Sequence, residues 1–307
     1  MRMMSPVLRT RLRTRLRTRL PKRLPTCLLA GVLTCLLSAC MSMRIEERQL
    51  IRPDAPGAPR PAALDTATLL PAATVRAEQL ATPDGATLHG LSVRQANASG
   101  KPGAILYFGG NGFHIDVHGK EILPQLAACG ADVVLFDYRG YGRSQGTPTV
   151  TTLLADALRI FDEVNARYPG GVIVHGMSLG SFMAAYVASE RPATRALVLE
   201  ATATNVQDWV DANKPWYALW MTLEVAPSLA AIDNARQVRA YRGAGLVLAG
   251  TADRITPQAL GRRVFEALPG TSKTWYVAKG AGHDNILGNA GVAPVYCGFI
   301  KAQARPM

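Results

Sequence analysis

Acidic residues are missing from the first forty positions, and net charge is nearly missing from everything after them. All 22 Asp and Glu lie in residues 41–307, beside 25 of the 34 Lys and Arg, so that stretch carries only about +3 of the chain's formal +12. The other nine cations all precede residue 41. A body so close to neutral offers no basic footprint for a phosphate backbone, which argues against nucleic acid as a partner. Long hydrophobic runs are also lacking. TCLLAGVLTCLLSA (26–39) stops at fourteen residues, short of the ~20 that a comfortable transmembrane helix needs. Metal-ligand spacing is absent as well: of His89, His114, His118, His175 and His283, no pair is set with carboxylates in a way that suits a metal, and no cofactor is expected. What is present is ordinary for a folded enzyme. The hydrophobic fraction of 48% excludes wholesale disorder, and 307 residues can be filled by one α/β unit with a leader.

The leader is legible by composition. RTRLRTRLRTRLPKRL is a basic segment that would spread arginine around a helix without building an apolar face. The fourteen-residue run after it has the length of a signal peptide's apolar region. It ends in Leu37-Ser38-Ala39-Cys40, which resembles the lipobox of bacterial lipoprotein precursors. The resemblance implies cleavage after Ala39 and a diacylated Cys40 as the mature N-terminus, so residues 1–40 are expected to be a signal peptide. Met41, not Asp, follows that cysteine, which by the same resemblance implies lipid anchoring at the periplasmic face of the outer membrane. Cys27 and Cys35 leave with the leader, so Cys129 and Cys297 are the thiols of the body. An oxidising compartment permits a bond between them; the expectation here is two separate buried thiols.

Residues 41–76 read as a proline-rich tether with little core of its own, and 77–307 as one domain. QLATPDGATLHGLSV predicts two strands joined by a turn at Pro83-Asp84-Gly85. Apolar runs of strand length follow at 103–109, 132–138, 171–176, 196–201, 245–250 and 274–279. Helical stretches alternate with them at 117–129, 151–168, 179–190, 258–268 and 292–303. In the second, Leu153, Leu154, Ala157, Leu158, Phe161 and Val164 recur at helical spacing. Continuous apolar strands alternating with helices predict a mostly parallel, doubly wound α/β sheet.

The strand 171–176 runs into Gly176-Met177-Ser178-Leu179-Gly180 and then a helix. This G-x-S-x-G sits in the strand–turn–helix context that pushes a serine proud of a sheet, at a helix N-terminus that favours developing negative charge. A hydroxyl needs a base. His283, in Gly280-Ala281-Gly282-His283-Asp284 after the last strand, stands where a base must be to reach Ser178. His175 lies inside the strand and is expected to pack or bond locally, whereas His114 and His118 are placed to line a pocket. The orienting acid should follow another strand, and Asp253 in Thr251-Ala252-Asp253 is the choice over Glu200 and Asp284. The oxyanion needs two N–H donors, and the backbones of Leu179 and Asn111, in Phe108-Gly109-Gly110-Asn111-Gly112, are expected to supply them, with Gly110 next.

FGGNG, DYRGYGRSQG, GMSLG, GTADRITP and GAGHD together resemble the α/β-hydrolase superfamily, in its compact esterase-like and serine-aminopeptidase-like branch. The likeness spans roughly residues 78–303, and the order Ser178, Asp253, His283 is the order that superfamily uses. It implies that Asp137 and Arg139 brace a loop. Two departures stand out: Gly109-Gly110 where the family often has His-Gly, and Ser181 where it often has a further Gly. The implied activity is hydrolysis through an acyl-enzyme, most readily of carboxylic esters with acyl or short chains; a peptidase or amidase, a thioesterase, or a non-catalytic envelope binding lipoprotein are the alternatives. Residues 203–241 form a lid insert holding Trp209, Trp216 and Trp220, with Trp216 and Trp220 on one helical face. That insert is expected to line a pocket, to pack on the domain, or to meet a membrane. No oligomeric state follows from the sequence.

Overall fold

In the computed structural model, which describes residues 42–96 and 103–303, the strands are β1 (Ser42–Ile45), β2 (Ala73–Ala81), β3 (Thr87–Gln95), β4 (Ala104–Phe108), β5 (Asp132–Phe136), β6 (Val172–Met177), β7 (Thr194–Glu200), β8 (Thr222–Val225), β9 (Ala244–Gly250) and β10 (Lys273–Ala278). The longer helices are α1 (Ile115–Ala127), α2 (Val150–Arg167), α3 (Leu179–Glu190), α4 (Val206–Ala212), α5 (Gln258–Ala267) and α6 (Val292–Ala302). The expected leader, its expected cleavage site and Cys40 lie outside the described residues. Among those described, no helix is long and apolar enough to cross a membrane.

Eight strands form one sheet in the order β10-β9-β7-β6-β4-β5-β3-β2. The six from β10 to β5 run parallel, and β3 and β2 add antiparallel at one edge. Every residue of β4 and β5 is buried, as expected where helices cover both faces. Successive residues of β6 serve opposite layers: Val174 packs with Phe161, Val164 and Met183, whereas Ile173 packs with Leu123, Leu126 and Ile300. The α2 helix begins at a capping box on Thr149 and buries Leu153, Ala157, Phe161 and Val164, with Leu154 and Leu158 at the margin of that face.

Three sequence expectations need correction. Residues 42–76 do not run as a free tether. β1 pairs in parallel with β8, Ser42 opposite Thr222 and Ile45 opposite Val225, and Ile51 is buried in the core. The Glu47 carboxylate accepts the Val150 N–H at 2.9 Å, and the Arg52 N–H donates to the Tyr141 hydroxyl at 2.8 Å. The Pro-rich middle, residues 52–63, is exposed throughout, and β2 starts at Ala73, before the expected boundary. Second, Cys129 and Cys297 form a disulfide with their Cα atoms 4.7 Å apart. The segment after α1 and the helix α6 share one face of the sheet, a proximity across 168 residues that no local pattern encodes. Third, Trp216 and Trp220 do not share a helix; Trp216–Ala218 is a single 3₁₀ turn, and with the rings of Trp216, Tyr217 and Trp220 exposed, no buried face is there to stabilise a longer helix.

Candidate active site

The strand β6 ends at Met177 and α3 begins at Leu179, so a single residue turns the chain. Ser178 does this at φ 52° and ψ −115°, in a region that costs a side-chain-bearing residue energy. The flanking glycines permit it. A Cβ on Gly176 would lie 2.2 Å from the Gly180 carbonyl oxygen, and one on Gly180 would lie 2.0 Å from that of Phe108. The Ser178 N–H donates to the Glu200 carbonyl at 2.9 Å, fixing the turn to β7.

The Ser178 Oγ lies 2.9 Å from His283 Nε2. On the far side of that ring, Nδ1 lies 3.0 Å from Asp253 Oδ2 and 3.2 Å from Oδ1. With Nδ1–H donating to the carboxylate, Nε2 is left to accept the serine proton. Asp253 is buried and richly bonded: it accepts the N–H groups of Ile255 and Thr256, each at 2.8 Å, and the Thr256 hydroxyl at 2.7 Å. Burial pulls its carboxyl upward, but the bonds from His283 and from the Thr256 hydroxyl and N–H outweigh that, holding the group below the ordinary carboxylate value.

The rival acids are placed elsewhere. The Glu200 Oε2 lies 3.1 Å from His175 Nε2 and its Oε1 accepts the Leu287 N–H at 2.9 Å, while His175 Nδ1 meets the Tyr296 hydroxyl at 3.0 Å. None of these bonds involves His283. Asp284 lines the cavity. Of the other histidines, His118 lines the cavity and His114 bonds Asp54 at 2.8 Å. Asp137 accepts the N–H groups of Ile115 and Arg143, and Arg139 grips Asp156 with two bonds at 2.8 and 2.9 Å, both well away from the reacting atoms.

Asn111 and Leu179 flank Ser178 in the cavity wall. Neither backbone N–H donates to a protein group among the described residues. The Asn111 side chain is held by the strap: its Nδ2 donates to the Leu50 carbonyl at 2.5 Å, and its Oδ1 accepts from Tyr141 at 2.9 Å. That explains how a Gly-Gly loop without the family's histidine is kept in place. Three contributors escaped the sequence reading. Thr256 follows Asp253 by three residues, a spacing at which a hydroxyl often returns to a carboxylate, so a signal was there. Ser181 donates to the Ser178 carbonyl at 2.6 Å and accepts from Thr202 and Asn234, each at 3.0 Å. The strap residues Leu50, Ile51 and Arg52 line the cavity, and their sequence carries no sign of it.

The cavity has a volume of about 920 Å³, within the usual range for small-molecule sites. Its lining combines apolar Leu153, Phe182, Met183, Leu229 and Ile232 with polar Arg52, His118, Glu121 and Gln125.

Comparison with known proteins agrees with this architecture. The family described as serine aminopeptidase, S33, matches residues 101–242, a span that includes Ser178 and ends before Asp253. An uncharacterized protein of Mycobacterium tuberculosis is 30% identical over 208 residues, covering 66% of this chain and 70% of that one. A lysophosphatidylserine lipase, ABHD12, of Macaca fascicularis is 32% identical over 177 residues, and the match covers 52% of this chain but only 44% of the lipase. Among solved structures, the Pyrococcus furiosus esterase Pf2001 superposes with a TM-score of 0.63 at 18% identity, over 80% of this chain and 99% of the esterase. Sheet order, the turn at Ser178 and these likenesses agree: the chain has the α/β-hydrolase fold.

Proposed function

We propose that the chain is a serine esterase that cleaves acyl esters through an acyl-enzyme on Ser178, carried as an outer-membrane lipoprotein on Cys40. The observation that carries the esterase reading is the run of contacts from Ser178 Oγ through His283 to Asp253, at 2.9 and 3.0 Å, opening into a cavity with apolar lining residues. His283 Nε2 takes the hydroxyl proton as Oγ attacks the ester carbonyl. The N–H groups of Leu179 and Asn111 receive the oxyanion. Collapse expels the alkoxide, which takes the proton back from His283, and water then attacks the acyl-enzyme with His283 again as base. Asp253 stays ionised throughout and stabilises the imidazolium.

The apolar lining residues suit an acyl chain and the polar ones an alcohol headgroup. Similarity to a lysophosphatidylserine lipase over part of that protein supports an acyl ester. A peptidase reading has one observation in its favour: the carboxylates of Glu121 and Asp284 are among the cavity's lining residues, and either would attract an amino-terminal ammonium. The test is a series of p-nitrophenyl esters of increasing acyl length beside aminoacyl p-nitroanilides. Esters are expected to turn over with a nitrophenolate burst stoichiometric with enzyme, lost in Ser178→Ala. Faster cleavage of the anilides would contradict the reading. The anchor is tested separately: labelled palmitate should enter the wild-type chain in cells and not Cys40→Ser.

A further inference from the structure

Four neighbouring apolar residues of the insert stand in solvent where soluble domains bury such groups. Trp216 is 81% exposed, Leu219 70%, Trp220 67% and Tyr217 63%. They surround one 3₁₀ turn, Trp216–Ala218. The turn is ordered by itself: the Trp216 and Tyr217 rings meet edge to face at 5.9 Å, the Trp220 indole N–H donates to the Tyr217 carbonyl at 2.7 Å, and the Lys214 ammonium donates to the Met221 carbonyl. With its N–H already satisfied inside the turn, the Trp220 ring can leave water without orphaning a donor. Isolated exposed apolar residues are ordinary, but a contiguous aromatic cluster marks an interaction surface.

We propose that this turn is a docking surface for a lipid bilayer, seating the cavity mouth at the membrane. Tryptophan and tyrosine favour the bilayer interface, where an apolar body and a polar tip are both accommodated. The direction of the chain says which partner covers the turn. β1 pairs in parallel with β8, Ser42 opposite Thr222, so the chain enters the domain two residues beyond Trp220. Cys40 stands two residues ahead of Ser42, and covalent reach alone holds a lipid on Cys40 within about 7 Å of that entry point. Anchor and aromatic turn therefore serve the same edge. The cavity mouth adjoins it: Asn213 and Ile255 line the cavity, and the Asn213 amide donates to the Ile255 carbonyl at 2.9 Å. Trp216 follows Asn213 by three residues, within about 11 Å of chain. An acyl ester leaving the bilayer beside the turn would meet the cavity without crossing water.

The choice of a bilayer as the partner rests on the proposed anchor at Cys40, and the test omits that anchor so that binding reads the turn alone. Ser42–Met307 form a compact unit holding the core of the described residues and the disulfide, so a chain beginning at Ser42 keeps both. It is titrated with phosphatidylcholine vesicles beside Trp216→Ala/Trp220→Ala, with thermal melts and soluble short-chain ester turnover as controls. The wild-type chain is expected to sediment with the vesicles and to shift its tryptophan emission to the blue, with quenching by brominated lipid. The double variant should keep its melting temperature and short-chain turnover yet bind vesicles about tenfold more weakly or worse. Equal binding by the two chains, or no emission shift, overturns the proposal. So does sedimentation velocity showing a wild-type dimer that the double variant lacks, because a second copy would then own the surface. Loss of ester turnover by the wild type would strike the esterase reading instead.

Discussion

Asp253 is held ionised by donors that sequence alone did not count, and its value to the site is the tautomer it imposes on His283. Asp253→Asn offers His283 the wrong partner, so kcat on a soluble ester should fall by about four orders of magnitude, with KM nearly unchanged. Thr256 touches the carboxylate and the ring edge, at 2.7 and 3.2 Å, but no reacting atom, which makes it a positioning residue. Thr256→Val should lower kcat about tenfold and leave KM within about twofold; steady-state kinetics on one ester separates these outcomes. A rise in KM alone would mean that the hydroxyl acts on substrate instead.

At the scale of elements, the loop between β5 and α2 carries buried charge. Arg139 is nearly inaccessible and bridges Asp156 on α2 and Asp84 in the β2–β3 turn. Arg139→Ala leaves the buried Asp156 carboxylate unpaired and should cost about 3–5 kcal/mol in urea unfolding. Asp137 behaves differently. Burial pushes its carboxyl up to about 6, against the N–H groups of Ile115 and Arg143. Its folded pKa therefore lies above the unfolded value near ~3.9, so the folded chain holds the extra proton between those two pH values. The stability this group contributes is full below about pH 4 and is lost as pH rises through about 6, at most about 3 kcal/mol. Unfolding at pH 4 and pH 6.5 should show that loss in the wild type and a flatter profile in Asp137→Asn. The loop's bracing role was legible from DYRGYGRSQG, whereas its partner Asp84 was not, because the pair joins residues 55 apart.

For the whole molecule, the sheet was legible wherever local chemistry decides structure. Apolar runs placed β4, β5, β6, β7, β9 and β10 within about two residues of where they lie, since strands buried on both faces leave a continuous signature. The nucleophile turn was legible because only glycine fits at 176 and 180. What stayed hidden depends on distant pairing: the strap Leu50–Arg52 across the cavity, the β1–β8 pair, and the bond between Cys129 and Cys297. The strap was hidden by the prolines that follow it from Pro53 on, which make the stretch read as a linker although Ile51 enters the core. The disulfide spans 168 residues, so it removes much freedom from the unfolded chain. Replacing both cysteines with Ala should lower stability by about 2–5 kcal/mol, and a reducing agent should lower the wild-type melting temperature while leaving the double variant unchanged. A wild-type melt insensitive to reductant would mean the two thiols are not bonded.

The central claim is that Ser178 is an activated nucleophile, and a fluorophosphonate probe tests it most directly. The folded chain is treated with the probe, digested, and the modified peptide located by mass. Labelling is expected on Ser178 alone, absent in Ser178→Ala and slowed by orders of magnitude in His283→Ala. A natively folded chain that takes no label, or takes it elsewhere, would contradict the claim and leave a hydrolase fold used for binding.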